Sequence, residues 1–171
     1  LGVRYIGALG KPSIHPEFEE FARKTDAISL TQPGITTAME FKDGKIMLGN
    51  MMSLEEIDYH QIIQAAGEGP FLDLLSKCDL VSIVNWTMIP KMTSILQQLA
   101  DQVLPNLPPR DNRSFFFDLT DPAKRSQEDI LEVLQVITRF QSHAETTLGL
   151  NYNETLQVCD TLGLTSGDKS E

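Results

Sequence analysis

Apolar and polar positions along this chain fall into short β-prone runs that exchange with stretches of helical period. Residues 3–8 (VRYIGA) form a first strand-like run, closed by Gly10 and Pro12. Pro16 then stands where a helix would begin, with Glu17, Glu19 and Glu20 in its first turn and Arg23 and Lys24 in its last. That charge order complements the helix dipole. Residues 27–30 (AISL) make a second strand, so the chain opens β-α-β. The pattern then changes to two alternating runs, residues 36–41 and 45–49, around Asp43-Gly44, a strong hairpin signal. This ribbon reads either as an edge hairpin or as a flap over a cleft, with Met39, Met47, Met51 and Met52 offering adaptable apolar contacts.

Helical period returns at residues 53–56 (SLEE), which have the form of a capping box, and the following helix runs to Gly67. Gly69-Pro70 punctuates, and residues 71–78 continue as a short helix. Residues 80–84 (LVSIV) are apolar enough to predict a strand buried on both faces. Pro90 opens a helix in which Met92, Ile95, Leu96, Leu99 and Val103 recur at helical spacing. Residues 104–113 form a Pro-rich surface connector. The run Phe115-Phe116-Phe117 is a strand stopping at Asp118. Ser126 starts an amphipathic helix, residues 146–150 form the next strand, and Asn153 caps a last helix ending at Gly163. Alternating strands and helices predict an α/β fold with a largely parallel sheet and right-handed crossovers. The expected organisation is one α/β domain over residues 1–164, its hairpin at about 35–49, with a polar tail at 165–171.

Composition narrows the class. With 171 residues, 41% apolar and 22% charged, the chain can bury a real core. A formal net charge of −10 argues against nucleic acid, which demands clustered Lys and Arg. Cys78 and Cys159 lack metal-ligand or disulfide spacing and read as buried thiols of a reducing compartment, the cytoplasm. No apolar run reaches the ~18 residues of a membrane span, and neither a signal-peptide pattern nor a starting Met is present, as if the chain were cut from a longer protein.

Candidate chemistry gathers where strands end. In open α/β sheets, ligands sit beyond the carboxyl ends of parallel strands. Asp118, Asp121, Lys124 and Arg125 follow the Phe strand. They read as cations for a phosphate or substrate carboxylate beside an acid for a hydroxyl or metal, or else as a solvated turn that introduces a helix. Asn151 and Glu154 follow the next strand as N-x-x-E, which could order water around Mg²⁺ or simply cap the helix. Asn85, Trp86 and Thr87 follow residues 80–84, and Trp86, the single Trp, reads equally as core or as a ligand platform. His15, His60 and His143 are scattered. Nucleophile elbows, Walker loops and dinucleotide fingerprints are absent.

The order IGALG, hairpin TTAMEFKDGKIMLG, SIVNWT, FFFDLTDPAKR and LGLNYNE resembles the middle of a ribokinase/PfkB-family sugar kinase, over about residues 1–164. The resemblance implies a Rossmann-like, ribokinase-like fold, here incomplete, with residues 35–49 as a lid over the sugar. It places Asp121, Lys124 and Arg125 on the family's D-x-N-x-R segment, with Ala123 where the amide stands. It also assigns Asn151 and Glu154 to Mg²⁺ through water. From their places at strand ends, Asp118 and Asn85 are expected to join the phosphate and substrate rim. ATP and Mg²⁺ are the implied cofactors, and a sugar and a nucleotide the implied partners. The family's N-terminal Gly-Gly-x-x-x-Asn segment and its Gly-Ala-Gly-Asp segment, which carries the anion hole and catalytic base, are missing. The expectation is therefore part of an ATP-dependent sugar kinase, catalytically incomplete as given, or a non-catalytic sugar- or nucleotide-binding module on the same fold. An exposed lid and an open sheet edge also predict self-association.

Overall fold

The computed structural model describes residues 2–164; the polar tail expected at 165–171 lies outside the described residues. The chain divides into two compact units at the junction of Phe71 and Leu72.

In the first unit, β1 (Arg4–Gly7) pairs in parallel with β2 (Asp26–Ser29), and Arg4 and Asp26 join them by an ion pair. The crossover runs through a 3-10 turn, Pro16–Phe18, and α1 (Glu19–Lys24). Phe21 of α1 meets the Tyr5 ring edge-on at 5.2 Å, fastening the helix to β1 as the β-α-β pattern predicts. Burial pushes the Tyr5 phenol pKa up, against a smaller lowering by a backbone hydrogen bond at Ala8.

The hairpin forms where the alternation places it. Strands β3 (Ile35–Phe41) and β4 (Gly44–Asn50) pair antiparallel, Phe41 opposite Gly44. Lys42 and Asp43 make the turn and Gly44 opens β4, one position earlier than a turn on the Asp-Gly pair would set it. The ribbon is a sheet of two strands, and every residue in it is exposed. Register places Ile35, Thr37, Met39 and Phe41 on one face with Ile46 and Leu48. That face is apolar and wet.

The capping box expected at Ser53 is not made. Met52–Glu56 is instead a 3-10 turn with Leu54 buried, because Glu56 Oε2 accepts a 2.9 Å hydrogen bond from the hydroxyl of Thr31. Helix α2 (Tyr59–Ala66) starts later, where Asp58 Oδ1 accepts from Gln61 N at 2.9 Å. Gly67, at φ 77°, ends it. Gly69 and Pro70 fall in the first turn of α3 (Glu68–Lys77); a proline is harmless there because first-turn N–H groups have no intrahelical partner.

The second unit is built on a parallel sheet of order β5 (Leu80–Ile83), β6 (Ser114–Asp118), β7 (Glu145–Gly149). Helix α4 (Met92–Gln98) continues as a π turn, Leu99–Val103, and α5 (Gln127–Phe140) bridges β6 and β7. Ser126 caps α5 by accepting from Asp129 N at 3.1 Å. Phe115 and Phe117 sit on one face of β6, each 5.0 Å from the Phe140 ring of α5. These three rings, with Val133 and Val136, are fully enclosed. On the opposite face a Cβ at Gly149 would lie 2.6 Å from the tip of the Phe116 ring, so that ring fills the space a side chain there would take.

One expectation fails here. Strand β5 is not buried on both faces: Leu80 is 58% exposed. Only the face shared with Phe115 and Phe117 is covered, and β5 lies at the margin of the described sheet. Neither Cys78 nor Cys159 is in a disulfide, and both are partly rather than fully buried. Helix α6 (Tyr152–Thr161) is capped by Asn151 and not Asn153, in a complete capping box with Glu154.

Candidate functional site

The carboxyl ends of β5, β6 and β7 bring Asn85, Asp118 and Asn151 to one margin of the parallel sheet. Strain marks the same margin. Among the described residues, the non-glycine positions at positive φ are Asn85 (66°), Thr120 (58°) and Asp121 (59°), all just after β5 or β6. Asn tolerates the left-handed region, but a β-branched Thr there is an outlier, at a cost of ~1–2 kcal/mol. Such strain persists only where surroundings enforce it, and it concentrates at functional sites.

The enforcement can be traced bond by bond. Asp118 Oδ1 accepts from Thr120 N at 2.9 Å and from Thr120 Oγ1 at 3.0 Å, folding the chain back on itself. Asp121 N donates to Glu154 Oε1 at 3.0 Å. The second oxygen of Glu154 accepts from Asn151 N at 2.9 Å, and Asn151 Oδ1 accepts from Glu154 N at 3.0 Å. Glu154 is 8% exposed, and its carboxylate therefore joins the loop after β6 to the start of α6.

Arg125, at the end of the loop after β6, grips the turn after β5. Its Nε donates to Thr87 O at 3.1 Å, and its Nη2 to Trp86 O at 3.3 Å and Ile89 O at 3.0 Å. The guanidinium carbon lies 4.9 Å from the Trp86 ring centroid. Trp86 is core, and Arg125 uses its buried ring as a platform; the indole Nε1 donates to Thr93 Oγ1 at 2.9 Å. Thr87 N donates to Leu119 O at 3.0 Å, while the Thr87 hydroxyl is buried with no protein partner. Lys124, exposed, pairs with Asp121 at 3.1 Å.

Asp118, Asp121, Arg125, Asn151 and Glu154 are thus gathered by bonded loops, with Asn85 entering the 3-10 turn (Trp86–Met88) that Arg125 holds. Sequence reasoning passed over Thr120, and nothing in a Thr-Asp pair announces left-handed backbone. It also gave Thr87 no role, though its strand-end position was legible. Among the described residues, no three His, Cys, Asp or Glu side chains are grouped to hold a metal. The oxygen donors present, Asp118, Asp121, Asn151 and Glu154, are hard ligands of the kind Mg²⁺ takes through its retained waters. An open apolar groove of about 380 Å³, lined by Leu131, Leu134, Ile137, Leu148 and Leu162, includes none of these groups.

A family model for prokaryotic ketohexokinase matches residues 2–171. The chain belongs to the prokaryotic ketohexokinase family. Ketohexokinases are members of the ribokinase/PfkB superfamily, the resemblance carried by the hairpin and the strand-end motifs. A ketohexokinase of Haloferax volcanii is 27% identical over 165 residues, covering 95% of this chain and 43% of that protein. The chain therefore spans less than half the length of this curated ketohexokinase. No described helix is long and apolar enough to cross a membrane.

Proposed function

We propose that this chain is part of an ATP-dependent kinase that transfers the γ-phosphate to a hydroxyl of a ketohexose. The observation that carries the reading is the family match along almost the whole chain, joined to a strained rim at the carboxyl ends of three parallel strands. On this reading Lys124 meets phosphate, and Asp118, Asp121 and Asn85 line the phosphate and substrate rim. Arg125 stands on the same rim, its Nη1 3.9 Å from Asp129 Oδ2. Asn151 and Glu154 would hold Mg²⁺ through water, and the bound ion would supply positive charge against the phosphates. The hairpin takes the lid role. We assign the protein to the cytoplasm and its apolar ribbon face to self-association.

The chain lacks a Gly-Ala-Gly-Asp segment, so the general base and anion hole must come from elsewhere, and the 171 residues are inactive alone. The test follows ADP release with ATP, Mg²⁺ and a panel of ketohexoses and aldohexoses. Both the 171-residue chain and a version extended to the length of its relatives are assayed. Turnover in the extended protein alone is expected. An inert extended protein would sink the kinase reading in favour of a non-catalytic binding module, and turnover by the short chain would refute its incompleteness.

A further inference from the structure

We propose that Arg125 is a positioning residue that acts through the turn after β5, and not a ligand of the transferred phosphate; the proposal rests on the reading of this rim as phosphate-binding. A guanidinium offers five N–H groups in a fixed plane. Three are committed to the carbonyls of Trp86, Thr87 and Ile89, at 3.0–3.3 Å. Two of those carbonyls also accept from the backbone, Trp86 O from Ile89 N at 3.2 Å and Ile89 O from Met92 N at 3.0 Å, so Arg125 adds a second donor to each while it also holds Thr87 O. The turn also has no side-chain cap, because Asn85 enters it at φ 66° without capping it.

Arg125 binds three carbonyls with one rigid plane and stacks on the buried Trp86 ring, tying the loop after β6 to the loop after β5. Its side chain is only 17% exposed, which suits a strut better than a group that must meet and release a nucleotide. Lysine cannot replace it, since a single ammonium neither spans three carbonyls nor stacks as a plane. The charge that contacts phosphate is left to its neighbour Lys124, whose one ion pair is at the surface.

Trp86 is the single Trp of the chain, so its fluorescence reports directly on this contact. Arg125→Lys in the 171-residue chain should shift Trp86 emission to the red and open it to acrylamide. Methylguanidinium should restore the original emission in Arg125→Gly. In the extended protein, Arg125→Lys should lower kcat about tenfold while KM for ATP stays within about threefold. Unchanged emission in Arg125→Lys overturns the proposal, whatever happens to turnover. A raised KM for ATP with kcat intact also overturns it and puts Arg125 on the phosphate. Should the unsubstituted extended protein prove inert, the kinase reading falls and the emission decides the strut by itself. If Arg125→Gly does not fold, Arg125→Lys still decides.

Discussion

Glu154 offers a sharp quantitative test of how the rim is held. Its carboxylate accepts two backbone N–H groups from different segments, Asp121 at 3.0 Å and Asn151 at 2.9 Å, and it is largely buried. Hydrogen bonds to a charged group contribute ~1.5–3 kcal/mol each, and an abandoned buried donor costs ~1–3 kcal/mol. Glu154→Ala removes both acceptors and one arm of the capping box, so a loss of about 3–5 kcal/mol is expected. At ~2–4 °C per kcal/mol for a chain of this size, that lowers Tm by roughly 6–20 °C. Glu154→Gln keeps the shape and one acceptor oxygen but turns an amide N–H₂ toward one donor, and should lose about half as much. Urea unfolding followed by Trp86 fluorescence measures this, because Trp86 lies in the same unit. If Glu154→Gln unfolds within ~0.5 kcal/mol of the parent, the two bonds do not hold the rim and the argument fails.

Three further outcomes are expected. Phe140→Ala, which empties the contact with both Phe115 and Phe117, should lose about 3–5 kcal/mol in the same unfolding experiment. Phe41→Asp with Leu48→Lys, on the apolar ribbon face, should convert a self-associating species to monomer in sedimentation while leaving the unfolding midpoint unchanged. A parent that already sediments as a clean monomer disposes of that idea. Burial holds the Tyr5 phenol pKa above its ordinary 10.0, so above pH 10 the unfolded chain loses that proton before the folded one. Stability is therefore full below about pH 10 and falls as pH rises toward the raised value. Tyr5→Phe should flatten this alkaline loss, leaving the part due to Tyr59, whose pKa is also raised by burial and by Glu68.

What could be read from the sequence was what depends on local pattern. The Phe run, the Ser126 cap and the β-α-β opening each have a signal within a few residues, and each is found. The errors share one cause, a tertiary partner outranking a local preference. Ser53 and Glu56 fit a capping box, yet Glu56 is drawn to the Thr31 hydroxyl, and Asp58 caps the helix instead. The apolar content of β5 predicted two buried faces, but covering depends on neighbours, and one face has few. Asn151 and Asn153 are both plausible caps by spacing; Glu154 selects the first by returning a hydrogen bond. At the rim, the polar residues themselves were legible from their places after strands. How they are used was not, since Arg125 and Glu154 meet backbone groups 33 to 39 residues away.

The ribbon has a chemical consequence of its own. Four of the six methionines, at 39, 47, 51 and 52, fall in or beside it, and Met52 is 72% exposed. Thioethers at such positions are within reach of peroxide, and each sulfoxide replaces a soft apolar surface with a strong dipole. Oxidative damage would therefore strike this arm before the Phe-lined interior, and would make its greasy side hydrophilic without unfolding the rest of the chain.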